Sequence, residues 1–117
     1  MKIAIPSEDK EKVSLVADTF GRADYFFVWN EETGEENWLD NTGTAMQGGA
    51  GIKAAQLLVD RGIEVLLVPQ CGENAAQVLK QAKIRLYKTQ YSTVEENLTA
   101  FLAGKLTEEI IPHASRH

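Results

Sequence analysis

The apolar positions of this chain change period several times, and each change marks a predicted element. Residues 2–5 form a short apolar run halted by Pro6 and Ser7, which predicts a buried strand. Residues 8–12 are all charged and read as a solvated loop, and residues 13–19 follow neither the helix nor the strand period. Residues 25–29, Tyr-Phe-Phe-Val-Trp, are aromatic and β-branched, the composition of a strand. A turn at residues 32–35, centred on Gly34, predicts a hairpin into a shorter third strand over residues 36–40.

A polar, glycine-rich loop over residues 41–50 then leads into a helix at residues 52–61. Ile52, Ala55 and Val59 share one predicted face, with Leu58 beside them, and Gly62 suits the C-terminal cap. Residues 64–68 are apolar on both faces after Glu64, the pattern of a central parallel strand. A second helix over residues 73–83 is apolar at Ala75, Ala76, Leu79 and Ala82, and residues 84–88 predict a fifth strand. Thr93 and Glu96 have capping-box spacing at the start of a third helix, expected to bury Val94, Leu98, Phe101 and Leu102 and to end at Gly104.

The predicted order is β-β-β-α-β-α-β-α. Three strands joined by tight turns give an antiparallel meander. Two later strands reached through helices lie parallel to the first by right-handed crossovers. The expectation is an α/β fold with a mixed five-stranded sheet in a ribonuclease-H-like arrangement. One domain spans residues 1–105, followed by a tail over residues 106–117.

This topology has a functional consequence, because ligands of open α/β sheets bind at the carboxyl ends of the parallel strands. The ends of strands one, three, four and five, and the beginning of strand two, all fall at that edge. Pro6 and Ser7, Phe20 to Arg22, the 41–51 loop, Gln70 to Gly72, and Thr89 with Gln90 are therefore expected around one rim.

Composition narrows the classes. A chain of 117 residues with 44% hydrophobic and 25% charged residues suits one soluble domain with its own core. Net charge is −5 with no basic run, which disfavours nucleic acid as a partner. No apolar run approaches a membrane span and no signal-peptide layout is present, so the expected setting is the cytoplasm. The single cysteine, Cys71, excludes an internal disulfide and agrees with a reducing compartment.

The small-residue run Gly48, Gly49, Ala50 and Gly51 enters the first helix directly. Such a loop brings backbone N–H groups close to whatever lies above it, and a helix start adds a partial positive charge. It reads either as a site for an anionic cofactor or as a tight turn that lets the helix pack closely on the sheet. Residues 49–54 match the loose form G-x-G-x-x-A, but no strand directly precedes them and no acidic residue follows about 20 positions on, so a nicotinamide or flavin site is disfavoured.

Cys71 lies between a buried strand and a helix start, where a thiol pKa is expected to fall unless burial opposes it. It is a candidate soft-metal ligand; the alternative is a partly buried, inert thiol. The two histidines, His113 and His117, lie in the tail and are poor partners for a nucleophile. Strand one carries no acid and strand four only Glu64 at its far end, so two-metal nuclease chemistry is excluded.

Taken together, Met1 to Pro6, Phe20-Gly21-Arg22-Ala23-Asp24-Tyr25-Phe26, Gly48 to Gln56, Gly72-Glu73-Asn74-Ala75 and the Thr93 helix start resemble the dinitrogenase iron–molybdenum cofactor biosynthesis family, the NifX, NafY and NifB-tail group. The resemblance covers residues 1 to about 105 in order. It implies a ribonuclease-H-like fold, no catalysis, and a prokaryotic role in carrying a metal–sulfur cofactor or handing it to a protein partner.

The cofactor-binding residues expected from loop convergence and resemblance are Phe20, Gly21, Arg22, Gly48, Gly49, Gly51, Cys71, Gly72 and Asn74, with Cys71 the candidate metal ligand. Such cofactors are anionic and the chain is acidic, so loop N–H groups, Arg22 and Lys53 would have to compensate locally. Family members often carry histidine before Phe-Gly-Arg as a proposed ligand. Here that position is Thr19, a poor ligand for iron or molybdenum. A small regulatory domain that binds a protein and no metal is the alternative.

Overall fold

A computed structural model of the chain describes residues 1–41 and 49–109. The strands are β1 (Lys2–Ser7), β2 (Tyr25–Asn30), β3 (Glu36–Asp40), β4 (Val65–Val68), β5 (Arg85–Lys88) and β6 (Thr107–Glu109). Among the described residues the helices are α1 (Ala50–Asp60), α2 (Glu73–Gln81) and α3 (Val94–Leu102), with a 3-10 turn at Phe20–Arg22.

The strands form one mixed sheet in the order β3-β2-β1-β4-β5-β6. β1, β2 and β3 are the expected antiparallel meander, and β4 and β5 run parallel to β1. β4 is central and buried along its whole length, as its two-sided apolar pattern predicts.

Among the described residues the sheet has six strands, not the expected five. The sixth pairs antiparallel with β5, from Leu86 opposite Glu109 to Lys88 opposite Thr107. It comes from the stretch read as a tail. Thr107, Glu108 and Glu109 are all exposed, as an edge strand allows, so no hydrophobic alternation announces them. The buried Leu106 anchors the segment.

Alternate positions on the strands feed two cores. Ala4, Phe26, Val28, Leu66, Val68 and Leu86 pack with Ala54, Ala55 and Leu58 of α1 and with Ala75, Ala76 and Leu79 of α2. Ile3, Ile5, Phe27, Val65 and Leu67 pack on the opposite face with Val94 and Ala100 of α3. The result is a sheet between two helices on one side and one on the other.

The helical faces differ in detail from those read off the sequence. α1 buries Ala50, Ala54, Ala55 and Leu58, whereas Ile52 is 44% exposed. α3 buries Asn97, and Leu102 is 50% exposed. Asn97 is buried because its amide is fully used. Its Oδ1 accepts from the N–H groups of Gln90 and Tyr91 at 3.0 and 3.2 Å, and its Nδ2 donates to the carbonyls of Tyr91 and Thr93 at 2.9 and 2.8 Å. Asn97 thereby fixes the β5–α3 loop from inside. β1 also continues through Pro6 and Ser7, which pair with Phe26 and Tyr25 of β2.

Candidate functional site

The site begins with a close approach of two backbones. The Phe20–Arg22 turn lies against the start of α1. A Cβ on Gly21 would stand 2.6 Å from the Gly51 nitrogen and 2.8 Å from its Cα. Only glycine permits that contact. Phe20 anchors the turn from below, buried with its ring 5.4 Å from that of Phe26. Asn41, buried just after β3, holds it from the side. Its Nδ2 donates to the carbonyls of Gly21 at 3.2 Å and Ala23 at 2.8 Å, and its N–H donates to the Asp24 carbonyl at 3.1 Å.

The starts of α1 and α2 converge beside this turn. Gly49, the N-cap of α1, adopts φ 73°, a left-handed conformation that favours glycine. A Cβ on Gly51 would meet the Cβ of Ala75 on α2 at 3.3 Å, so the two helices touch there. Gly72 is the N-cap of α2 and differs from the others. Its backbone is ordinary extended chain and a Cβ there would meet nothing within 4 Å. Neither helix start carries a side-chain cap. Their first N–H groups therefore lack the partner that a serine, threonine or aspartate would give.

These three segments line one open cavity of about 590 Å³. Its walls are Thr19 to Arg22, Gly49 to Ile52, and Gln70 to Ala75. Phe20, Gly21, Arg22, Gly49, Gly51, Cys71, Gly72 and Asn74 of the expected set are thus brought together. Gly48, Met46, His113 and His117 lie outside the described residues. Lys53 does not line the cavity, and neither do Pro6, Ser7, Thr89 or Gln90 from the anticipated rim. Thr19 is exposed at the cavity wall.

Cys71 departs from expectation. Its pKa is raised, from 9.0 to about 11, first by desolvation and then by the negative charge of Glu109. Cys71 precedes the N-cap and so lies outside α2, half-buried against the core of the α1–α2 face. Burial there outweighs the helix field. Among the described residues, no three His, Cys, Asp or Glu side chains gather where they could hold a metal ion. Among the described walls the cavity offers a ligand N–H groups, the Arg22 guanidinium, the Cys71 thiol, the Thr19 hydroxyl and the Gln70 and Asn74 amides.

Gly21 and Gly51 serve close packing, and Gly49 a left-handed turn. Gly72 is required by neither. Asn41 and Asn97 escaped sequence reasoning, since an asparagine beside a loop ordinarily reads as exposed turn chemistry.

A model of the dinitrogenase iron–molybdenum cofactor family matches residues 1–104. The chain belongs to this family. As an iron–molybdenum cofactor family member, it is 31% identical over 109 residues to an uncharacterised protein of Methanocaldococcus jannaschii, covering 91% of this chain and 89% of that one. It is similar in structure to the apo form of the orange protein of Desulfovibrio gigas, with a TM-score of 0.89 and 33% identity over 96% of this chain and 95% of that one. A candidate NifB protein from Thermotoga matches with a TM-score of 0.83 and 37% identity over 99% and 98% of the two chains. The family match stops before β6 begins. No helix among the described residues is long and apolar enough to cross a membrane.

Proposed function

We propose that this chain is a non-catalytic carrier of an anionic metal–sulfur cofactor, held in the cavity between the Phe20–Arg22 turn and the starts of α1 and α2. One observation carries the reading. Two helices begin at glycine N-caps without side-chain caps, and both starts, with Arg22, line the same cavity. Unpartnered N–H groups and a helix-end partial charge bind anions, and a guanidinium adds a charge-assisted donor. Family membership supports reading that anion as a metal–sulfur cofactor.

The donor set fits a preassembled cluster better than a bare ion. A bare ion needs several protein ligands, which the described walls lack. A cluster that brings its own sulfide needs hydrogen-bond donors to its outer sulfurs. In this reading Arg22 and the N–H groups of the two helix starts orient the cluster. Cys71 is an auxiliary contact that must lose its proton before it can ligate. The same reading gives the chain no reaction of its own and treats its mixed sheet as a ribonuclease-H-like arrangement extended by a sixth strand. A protein that accepts the cluster is the implied partner, met in the cytoplasm.

The test is anaerobic isolation followed by metal and sulfide analysis and a visible spectrum, with Cys71→Ala prepared in parallel. The expected outcome is molybdenum or iron in stoichiometric amount with sulfide, retained at least in part by Cys71→Ala. A colourless protein that cannot be reconstituted would sink the carrier reading.

A further inference from the structure

We propose that Glu73 sets the charge selectivity of this cavity, admitting an anion of low charge more readily than an otherwise equal anion of higher charge. The inference rests on the carrier reading and concerns the same site. Among the described lining residues, Arg22 and Glu73 are the two whose side chains bear opposite charges, and both are exposed. The remaining walls are glycine, alanine, Phe20, Ile52, Cys71 and the uncharged polar Thr19, Gln70 and Asn74. The formal charges of these described walls sum to zero. The partial positive charge of the two helix starts adds to what Arg22 offers an anion.

Glu73 stands in the first turn of α2, next to the bare N-cap Gly72. Two effects meet there with opposite signs. The carboxylate interacts favourably with the dipole of its own helix, and it repels any anion that approaches the same N–H groups. That repulsion scales with the charge of the ligand, whereas hydrogen bonding from the N–H groups is governed by its shape. Glu73 therefore discriminates between ligands of equal shape and unequal charge. It also keeps a bound anion releasable, as a carrier requires.

The experiment uses two thiometalates of the same tetrahedral form, the dianion tetrathiomolybdate and the monoanion tetrathiorhenate. Wild type, Glu73→Gln and Glu95→Gln are titrated with each at low and high salt. Glu95 makes a matched control, being an exposed acid in the first turn of α3 on the opposite face of the sheet.

At low salt Glu73→Gln should bind the dianion about tenfold more tightly than wild type and the monoanion about threefold, from roughly threefold per unit of ligand charge at a water-exposed separation. Both ratios should shrink at high salt, and Glu95→Gln should match wild type. A thermal unfolding curve establishes that Glu73→Gln is folded. Equal gains for the two anions, no gain, or weaker binding would overturn the proposal. Anion binding by wild type that Glu73→Gln leaves unchanged sinks charge selectivity alone. Failure of both thiometalates to bind either protein overturns the carrier reading as well.

Discussion

The start of α3 and the starts of α1 and α2 solve the same problem in opposite ways. Every helix begins with N–H groups that have no partner within the helix. At α3, Thr93 accepts from the Glu96 N–H at 3.1 Å, and the Thr93 N–H donates to the Glu96 carboxylate at 3.1 Å. That capping box closes the helix start with the protein's own side chains. At α1 and α2 the N-cap is glycine and no side chain closes the end. The closed start packs on the face of the sheet without the cavity, and the open pair lines the cavity. For α1 a left-handed backbone explains the glycine. For α2 no steric or conformational reason does. The difference teaches where the fold uses glycine to build itself and where it leaves room for something else.

The largest expected effect breaks the geometry beneath the open pair. Gly21→Ala places a methyl group against the Gly51 backbone, which cannot rotate away as a side chain would. A stability loss of about 2–3 kcal/mol is expected from such overpacking, measured by denaturant unfolding. Wild-type stability in Gly21→Ala would mean that the turn and α1 separate easily and do not define the cavity.

The closed start gives a middle-sized effect. Thr93→Ala removes the capping box and should cost about 1 kcal/mol. Its thiometalate affinity should stay at the wild-type value, because Thr93 is not among the cavity walls. An affinity change would show that the two regions are coupled.

A smaller effect concerns Cys71. With the thiol pKa pushed up to about 11, iodoacetamide labelling should rise only well above the pH at which a free thiol reacts. Glu109→Gln should move that profile downward, since the Glu109 charge is the second cause of the shift. The folded protein holds this proton more tightly than the unfolded chain does. The contribution of Cys71 to stability is therefore fully present below pH 9.0 and declines as pH rises towards about 11. Labelling that matches a free thiol would show that Cys71 is open to solvent.

Much of this architecture was legible as pattern. Runs with strand or helix period marked β1 to β5 and the three helices, and Thr93 with Glu96 marked the α3 cap. β6 was not legible, because Thr107, Glu108 and Glu109 are exposed and their pairing with β5 is purely backbone. The buried roles of Asn41 and Asn97 depend on carbonyls and N–H groups supplied by other segments. Residue type alone does not report such partners. The convergence of loops was legible in part, since strand direction brings Phe20 to Arg22, Gly49 with Gly51, and Cys71 with Gly72 to one cavity, whereas Pro6, Ser7, Thr89 and Gln90 do not line it. The energetics of the site were less so. Proximity of Cys71 to a helix start can be read from sequence, but the burial that reverses its pKa shift depends on packing. The sequence likewise treats Gly21, Gly51 and Gly72 alike, and only the space around each separates packing from vacancy.

The most direct test of the open helix start is Gly72→Ser. The backbone at Gly72 already has an N-cap conformation and its Cβ position is empty, so serine fits without strain. Its hydroxyl can accept from the Asn74 or Ala75 N–H and close α2 much as Thr93 closes α3. The measurement is tetrathiomolybdate affinity beside unfolding stability, for wild type and Gly72→Ser. The account predicts stability equal or higher by a few tenths of a kcal/mol, together with affinity at least several-fold weaker. Unchanged affinity in a stably folded Gly72→Ser would contradict it, since the bare start of α2 would then hold no anion.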